Sequence, residues 1–257
     1  MDCGILAAKS TLSVEVAHTA QEKRARSKMI LHRLFQHPLS APLLPFWLAL
    51  AATTALLAFY GANSSDPAWE AEAIDWVQSV SPDAFHQIAR FMTVIGRSPI
   101  STVIPAVVIV AMWISGQRHL SVFLSAAVVA RVLSVVVKEL VERPRPSASV
   151  VDVTYQLGGH SFPSGHALGA TLFYGFLIYW AAVSISNKPV RRIVQGSLAT
   201  MILLMGYPRV ELGAHWPTDV VGGFAIGFLV LGAMVWLHRR WTGEDQRERT
   251  ESVAATR

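Results

Sequence analysis

The sequence predicts an all-α integral membrane protein: a bundle of six transmembrane helices, with one or two interfacial helices between the first two spans. Three observations carry this. The chain is 52% hydrophobic and only 15% charged, whereas a soluble domain holds roughly a quarter charged residues. Its mean hydropathy is +0.40. Its apolar residues gather into six runs, and the basic residues fall into short clusters between them. A net charge of +5 spread in this way excludes a nucleic-acid partner and fits the loops of a protein whose partner is the bilayer. The single cysteine, Cys3, excludes an intramolecular disulfide and a cysteine-rich metal site.

In chain order, residues 1–40 are predicted as a cytoplasmic tail. Lys23, Arg24, Arg26, Lys28 and Arg33 make it basic, and Met29, Ile30, Leu34 and Phe35 are spaced for a short helix at the membrane surface. A charged, disordered tail has the same composition. No basic start followed by an apolar core marks a signal peptide, so the first apolar run reads as a retained anchor. The membrane domain is predicted over 41–240, with spans at 42–62, 99–115, 120–141, 166–185, 190–207 and 220–237. Most meet the length of about 20 residues that the hydrocarbon core requires. The fifth begins with Arg191, Arg192 and Gln195 and needs its neighbours' help. Residues 241–257 are predicted as a cytoplasmic C-terminal tail.

Between the first two spans, Asp66-Pro67 and Ser81-Pro82 are two helix starts. Trp69, Ile74, Trp76, Val77 and Val80 share one face, and Phe85, Ile88, Met92 and Ile95 recur at helical spacing. Tryptophan favours the headgroup zone, so these helices are expected to lie along the interface without a part in catalysis, although they help to set specificity together with the loop 147–159.

Orientation follows from loop charge. Basic residues precede span one and recur at Arg118, at Lys188, Arg191 and Arg192, and at Arg239 and Arg240. With six spans these regions share one side, which the positive-inside rule makes cytoplasmic. Lys138, Arg143, Arg145 and Arg209 fall on the opposite side and break that rule, which asks for a separate reason.

Three blocks on that opposite side carry the chemistry. In KELVERPRP (138–146), Lys138 is a mobile point charge and Arg145 a planar fork suited to two phosphate oxygens, in a loop stiffened by Pro144 and Pro146. In GGHSFPSGHALG (158–169), a glycine-rich turn puts Ser164, Gly165 and His166 at a helix N-terminus, where unpaired N–H groups suit an oxyanion. In PRVELGAHWPTD (208–219), Arg209 adds a third cation. Pro217 starts the last span, so His215 and Asp219 fall within about one turn, as a nucleophile and its orienting carboxylate require.

Each block alone has a plainer reading: a snorkelling helix end, a Gly-Ser turn, an interfacial histidine beside a helix-capping aspartate. Together they place three cations, two histidines and a carboxylate on one membrane face. Those are the parts that phosphoryl transfer uses. Arg131, seven residues before Lys138 and deeper in the membrane, is expected to pair with a group inside the bundle, with substrate contact as the alternative. His160 and Arg143 read as loop residues, the latter as a solvated charge.

The order K-x6-RP, PSGH, R-x5-H-x3-D resembles the type-2 phosphatidate phosphatase superfamily of integral membrane lipid phosphatases, by motif over 138–219 and by span layout over most of the chain. The resemblance implies that Lys138, Arg145 and Arg209 bind phosphate with Ser164 and the Gly165 amide. It implies that His215 is the nucleophile forming a phosphohistidine, that Asp219 orients it, and that His166 protonates the leaving oxygen and then activates water. It implies no metal and no other cofactor. Polyprenyl diphosphate, phosphatidate, phosphatidylglycerophosphate and lipid A phosphates are the substrate candidates. A phosphotransferase would use the same residues, and a non-catalytic lipid-phosphate binding or transport protein would keep the cations. The chain departs from the family at Pro208, where a serine is usual, and proline supplies neither hydroxyl nor N–H.

Overall fold

A computed structural model describes residues 43–96, 99–154 and 158–243. The predicted surface helix around Met29–Phe35, Cys3 and the C-terminal tail beyond 243 lie outside the described residues. The described residues form α-helices: α1 (Leu44–Asn63), α2 (Ala68–Val80), α3 (Asp83–Ile95), α4 (Ile100–Ile114), α5 (Arg118–Ala130), α6 (Leu133–Val141), α7 (Gly165–Ser184), α8 (Lys188–Glu211) and α9 (Pro217–Thr242). The protein is a multi-pass, all-helical membrane protein. Four spans, α1, α5–α6 together, α7 and α9, are long and apolar enough to cross a bilayer, and α3 with α4, bent by 64°, makes a fifth if taken as one span. α8 has 24 residues, but Lys188, Arg191, Arg192 and Gln195 dilute its first turns. It matches the segment whose sequence is the least apolar of the six.

Two predicted helix starts became two helices, α2 and α3, entered through Pro67 and Pro82, which hold φ near the helical value. The third predicted span is broken: α5 stops at Ala130, Arg131 and Val132 bond back with i→i+3 spacing, and α6 resumes at Leu133. α6 ends at Glu142, which adopts φ +52 ahead of Arg143-Pro144.

The core is where α5, α7 and α9 meet, with Leu124, Leu168, Leu172, Phe176 and Tyr179 buried among Phe123, Leu231 and Val235. α7 and α9 come close because α9 is glycine-rich on the facing side. A Cβ at Gly223 would sit 2.7 Å from the Ser164 carbonyl oxygen, and one at Gly227 2.6 Å from Thr171. α1 lies outside, against α9: Trp47 touches Gly232 near one end, and Gly61 touches Arg143 and Phe162 near the other. Most of its large side chains, including Leu48, Leu56 and Phe59, face outward as a lipid-facing helix requires.

The two ends of the bundle differ. At one, His119 stacks on His238, Tyr179 bonds His238 Nδ1 at 2.8 Å, and Trp180 Nε1 donates to Gln117. At the other, the loop segments 142–154, 158–164 and 212–216 and the helices α2 and α3 gather at the ends of α6, α7, α8 and α9. All three motif blocks lie at this second end.

Candidate active site

The third block is held by its own backbone. Ala214 N and His215 N both donate to the Arg209 carbonyl, at 3.0 and 2.9 Å, turning the chain out of α8. Pro217 then starts α9, and Trp216 N donates to Asp219 Oδ2 at 2.9 Å. Asp219 does cap its helix, as the plainer sequence reading has it. The same carboxylate does more. Its Oδ2 lies 3.5 Å from His215 Nδ1 and accepts from Ser161 Oγ, while Oδ1 accepts from Arg143 at 2.7 Å.

His215 is 2% exposed. Arg145 Nη1 lies 3.1 Å from its Nε2. A guanidinium only donates, so Nε2 is the acceptor and the ring proton sits on Nδ1, facing Asp219. The nitrogen with the free lone pair therefore points at the cations. Burial pushes the imidazole down to about 4, against the opposing pull of Asp219, so the ring is neutral at pH 7. Burial also lowers Arg145 from its ordinary value, with the Asp219 charge opposing. An arginine stays charged through such a shift.

The first block wraps around this pair. Arg145 also donates to the carbonyls of Ala214 (2.7 Å), Gly159 (3.1 Å) and His160 (3.2 Å). Lys138 Nζ reaches the His160 and Ser161 carbonyls, the latter at 3.1 Å. Both cations thus hold the strand of chain that carries the second block. Ser164 is the N-cap of α7 and its N–H donates to the Asp219 carbonyl at 2.9 Å. The Phe162–Pro163 peptide before it is cis.

Lys138, Arg145, Ser164, His215 and Asp219 are thus brought together. Arg209 is buried at the end of α8 and donates to Thr93 of α3. His166, on the first turn of α7, packs against Gly96, and its buried Nε2 has no hydrogen-bond partner among the described residues. Its cationic neighbours are Arg209, Arg131 and Arg145.

Arg143 corrects the sequence reading. It is fully buried, not a solvated loop charge. Nη1 donates to Asp219 Oδ1 and Thr218 Oγ1, both at 2.7 Å, and Nη2 to Glu70. Glu70 in turn accepts from Thr218 N at 2.9 Å and Thr218 Oγ1 at 2.7 Å. The Tyr60 and Trp216 rings flank the guanidinium at 5.5 and 5.6 Å. The helices at 66–95 therefore do reach the site, through Glu70 on α2 and Thr93 on α3. Gln78 and His86 tie them further to Glu211. Sequence reasoning missed Glu70, Thr93, Ser161 and Thr218. Only Ser161 and Thr218 had a signal, in lying beside motif residues. His160 is a loop residue as expected, its ring 3.9 Å from Glu139.

A cavity of 490 Å³ opens beside His166, between α4, the α5–α6 break and α7. Arg131 lines it, together with Ser134, Gly165 and Gly169.

Residues 118–242 match the family model of the PAP2 superfamily. Phosphatidylglycerophosphatase B of Bacillus subtilis (strain 168) is 36% identical over 104 residues, covering 39% of this chain and 48% of that protein. Lipid phosphate phosphatase delta of Arabidopsis thaliana is 33% identical over 110 residues, covering 39% of this chain and 26% of that protein. The chain thus spans about half of the first relative's length and a quarter of the second's. The crystal structure of the first transmembrane PAP2 type phosphatidylglycerolphosphate phosphatase from Bacillus subtilis aligns with a TM-score of 0.59 at 23% identity, covering 80% of this chain and 95% of that one. The fold is shared. The matched residues 118–242 hold all three motif blocks, and over them the chain is similar to the PAP2 superfamily.

Proposed function

We propose that this protein is a membrane lipid phosphatase that removes the terminal phosphate of a lipid phosphate or polyprenyl diphosphate through a phosphohistidine. The observation that carries the reading is the buried His215–Asp219 pair, whose unprotonated Nε2 accepts from Arg145 at 3.1 Å. Phosphate displaces the carbonyl contacts of Lys138 and Arg145 and binds there with Arg209, Ser164 Oγ and the Gly165 amide. His215 Nε2 attacks phosphorus in line, and the P–O bond to the lipid breaks. His166 gives its proton to the leaving oxygen. It then takes one from water, which attacks the P–N bond and frees phosphate and His215. Asp219 holds the Nδ1–H tautomer and stabilises the cationic ring. The three cations spread the charge of the transition state, so the scheme needs no metal.

The reading extends to topology. Trp47 on α1 meets Gly232 far along α9, while Gly61 meets Phe162 at the site, so α1 runs from the far end toward the site. α4 runs away from the site, α5–α6 toward it, α7 away, α8 toward it and α9 away. Six passes support six spans with both termini on one side. Arg118, Lys188, Arg239 and Arg240 gather at the far end, which supports a cytoplasmic far end and a site facing the exterior of the cytoplasmic membrane. On this reading the domain limits are 1–40, 41–240 and 241–257.

Phosphate release by the detergent-purified protein, in EDTA and across a panel of lipid phosphates, tests it. Release that survives EDTA and disappears in His215→Ala supports the reading. Equal release by His215→Ala, or none from wild type while vanadate still binds, contradicts it.

A further inference from the structure

Arg131 is a cation inside the third span that the proposed chemistry leaves unused. It lies thirteen residues into the apolar span Arg118–Val141, about 20 Å from one end and 15 Å from the other. A charge at that depth faces a protein interior or water, and marks a functional site. Here it sits at the break between α5 and α6, exposed to the 490 Å³ cavity. No carboxylate lines that cavity among the described residues. Its side-chain stem lies against Gly169, where a Cβ would come 2.8 Å from Arg131 Cδ. Gly169 is three residues after His166, so the guanidinium stem is one helical turn deeper than the imidazole. Among the described residues the expected pairing inside the bundle is not found. The missing side chain at Gly169 is what lets the arginine lie along α7.

The position has a chemical meaning on the leaving-group side of the reaction. In the phosphatase reading the transferred phosphate lies among Lys138, Arg145 and His215. The leaving oxygen meets His166, and whatever it is attached to continues into the cavity. We propose that Arg131 binds a second anionic phosphate carried by the leaving group, and so selects lipids with two phosphate charges over simple monoesters. This rests on the phosphatase reading above. When the P–O bond breaks, its electron pair goes to the leaving oxygen, which takes the His166 proton. If that oxygen belongs to a second phosphate, the product is a lipid monophosphate, and Arg131 offsets the charge that builds on it. If the second phosphate is a diester further along the headgroup, Arg131 holds it by charge alone. The apolar walls of Val128, Val132 and Phe173 take the chain beyond.

The test compares kcat/KM for three substrates in wild type, Arg131→Gln and Arg131→Lys. Farnesyl diphosphate carries the second phosphate directly, phosphatidylglycerophosphate carries it as a diester, and phosphatidate has none. We expect the ratio of two-phosphate substrate to phosphatidate to fall at least tenfold in Arg131→Gln and to recover in part in Arg131→Lys. A fall for one two-phosphate substrate alone identifies the source of the second charge and supports the proposal. The same ratio in wild type and Arg131→Gln overturns it, as does an equal loss on all three, the signature of misfolding that thermal unfolding of each variant checks. No turnover of any substrate by wild type overturns the phosphatase reading itself.

Discussion

Asp219 has to do three things with two oxygens, and Arg143 is what makes that possible. Oδ2 faces His215, Ser161 and the Trp216 N–H, while Oδ1 is held from behind by Arg143, which Glu70 holds in turn. Removing one partner from a buried charge pair costs about 3–5 kcal/mol, because the other charge stays behind without compensation. Arg143→Met leaves Glu70 and Asp219 facing each other and is expected to lose about that much stability, read by thermal unfolding in detergent. Glu70→Gln keeps the hydrogen-bond geometry with one charge fewer and is expected to lose less. The second prediction at this scale concerns His215. Its buried ring has its proton affinity lowered to about 4, so the neutral, attacking form persists from pH 7 down to that value. The acid limb of kcat/KM assigned to His215, after correction for substrate ionisation, is expected near pH 4, well below the ordinary histidine value of about 6.5. The same shift makes the unfolded chain bind this proton first, so its contribution to stability declines as pH falls from about 6.5 toward 4. An acid limb at 6.5 contradicts the assignment.

Between elements, the site depends on how closely α9 approaches α7. Gly223 faces the Ser164 carbonyl at a distance no Cβ tolerates, and Ser164 N bonds the Asp219 carbonyl. The contact sets the N-terminus of α7 beside the His215–Asp219 turn. Gly223→Val should force the helices apart, cost about 1–3 kcal/mol by overpacking, and reduce activity more than stability alone explains, measured as kcat on the folded fraction. Local patterns were readable at this scale: the helix starts at Pro67, Pro82 and Pro217, and the i, i+4 pair His215–Asp219, are stated by neighbouring residues. The break at Arg131 was not, because a tight i→i+3 turn inside an apolar run leaves hydropathy unchanged. Nor was the Arg143–Glu70 pair, whose members are 73 residues apart in sequence. Only the packing of α2 against the site reveals it.

For the molecule as a whole, the order of elements places one chemical end and one structural end on a single bundle. The apolar runs gave the position of most helices, since a bilayer demands length and hydrophobicity of each. They did not give α8 as a clearly apolar span, because its polar residues are placed by their position in the bundle: in its first half Gln195 Nε2 bonds the Ile178 carbonyl at 3.1 Å, and at its far end Arg209 and Glu211 are buried and bonded to Thr93 and His86 of α3. Pro208 is buried within α8 and still accepts from Leu212 N at 3.1 Å through its carbonyl. Helix geometry survives the substitution of the family serine there. Pro208→Ser is therefore expected to change the rate by less than about tenfold, in the same phosphate-release measurement.

The central claim is that a covalent bond forms between substrate phosphorus and His215 Nε2. Its most direct test is an alkaline quench during turnover of a lipid phosphate, followed by mass spectrometry of the peptide spanning Pro208–Asp219. The account predicts a phosphate adduct on His215 in wild type, absent from His215→Ala. Steady turnover with no adduct at His215, or an adduct elsewhere that persists in His215→Ala, would contradict it.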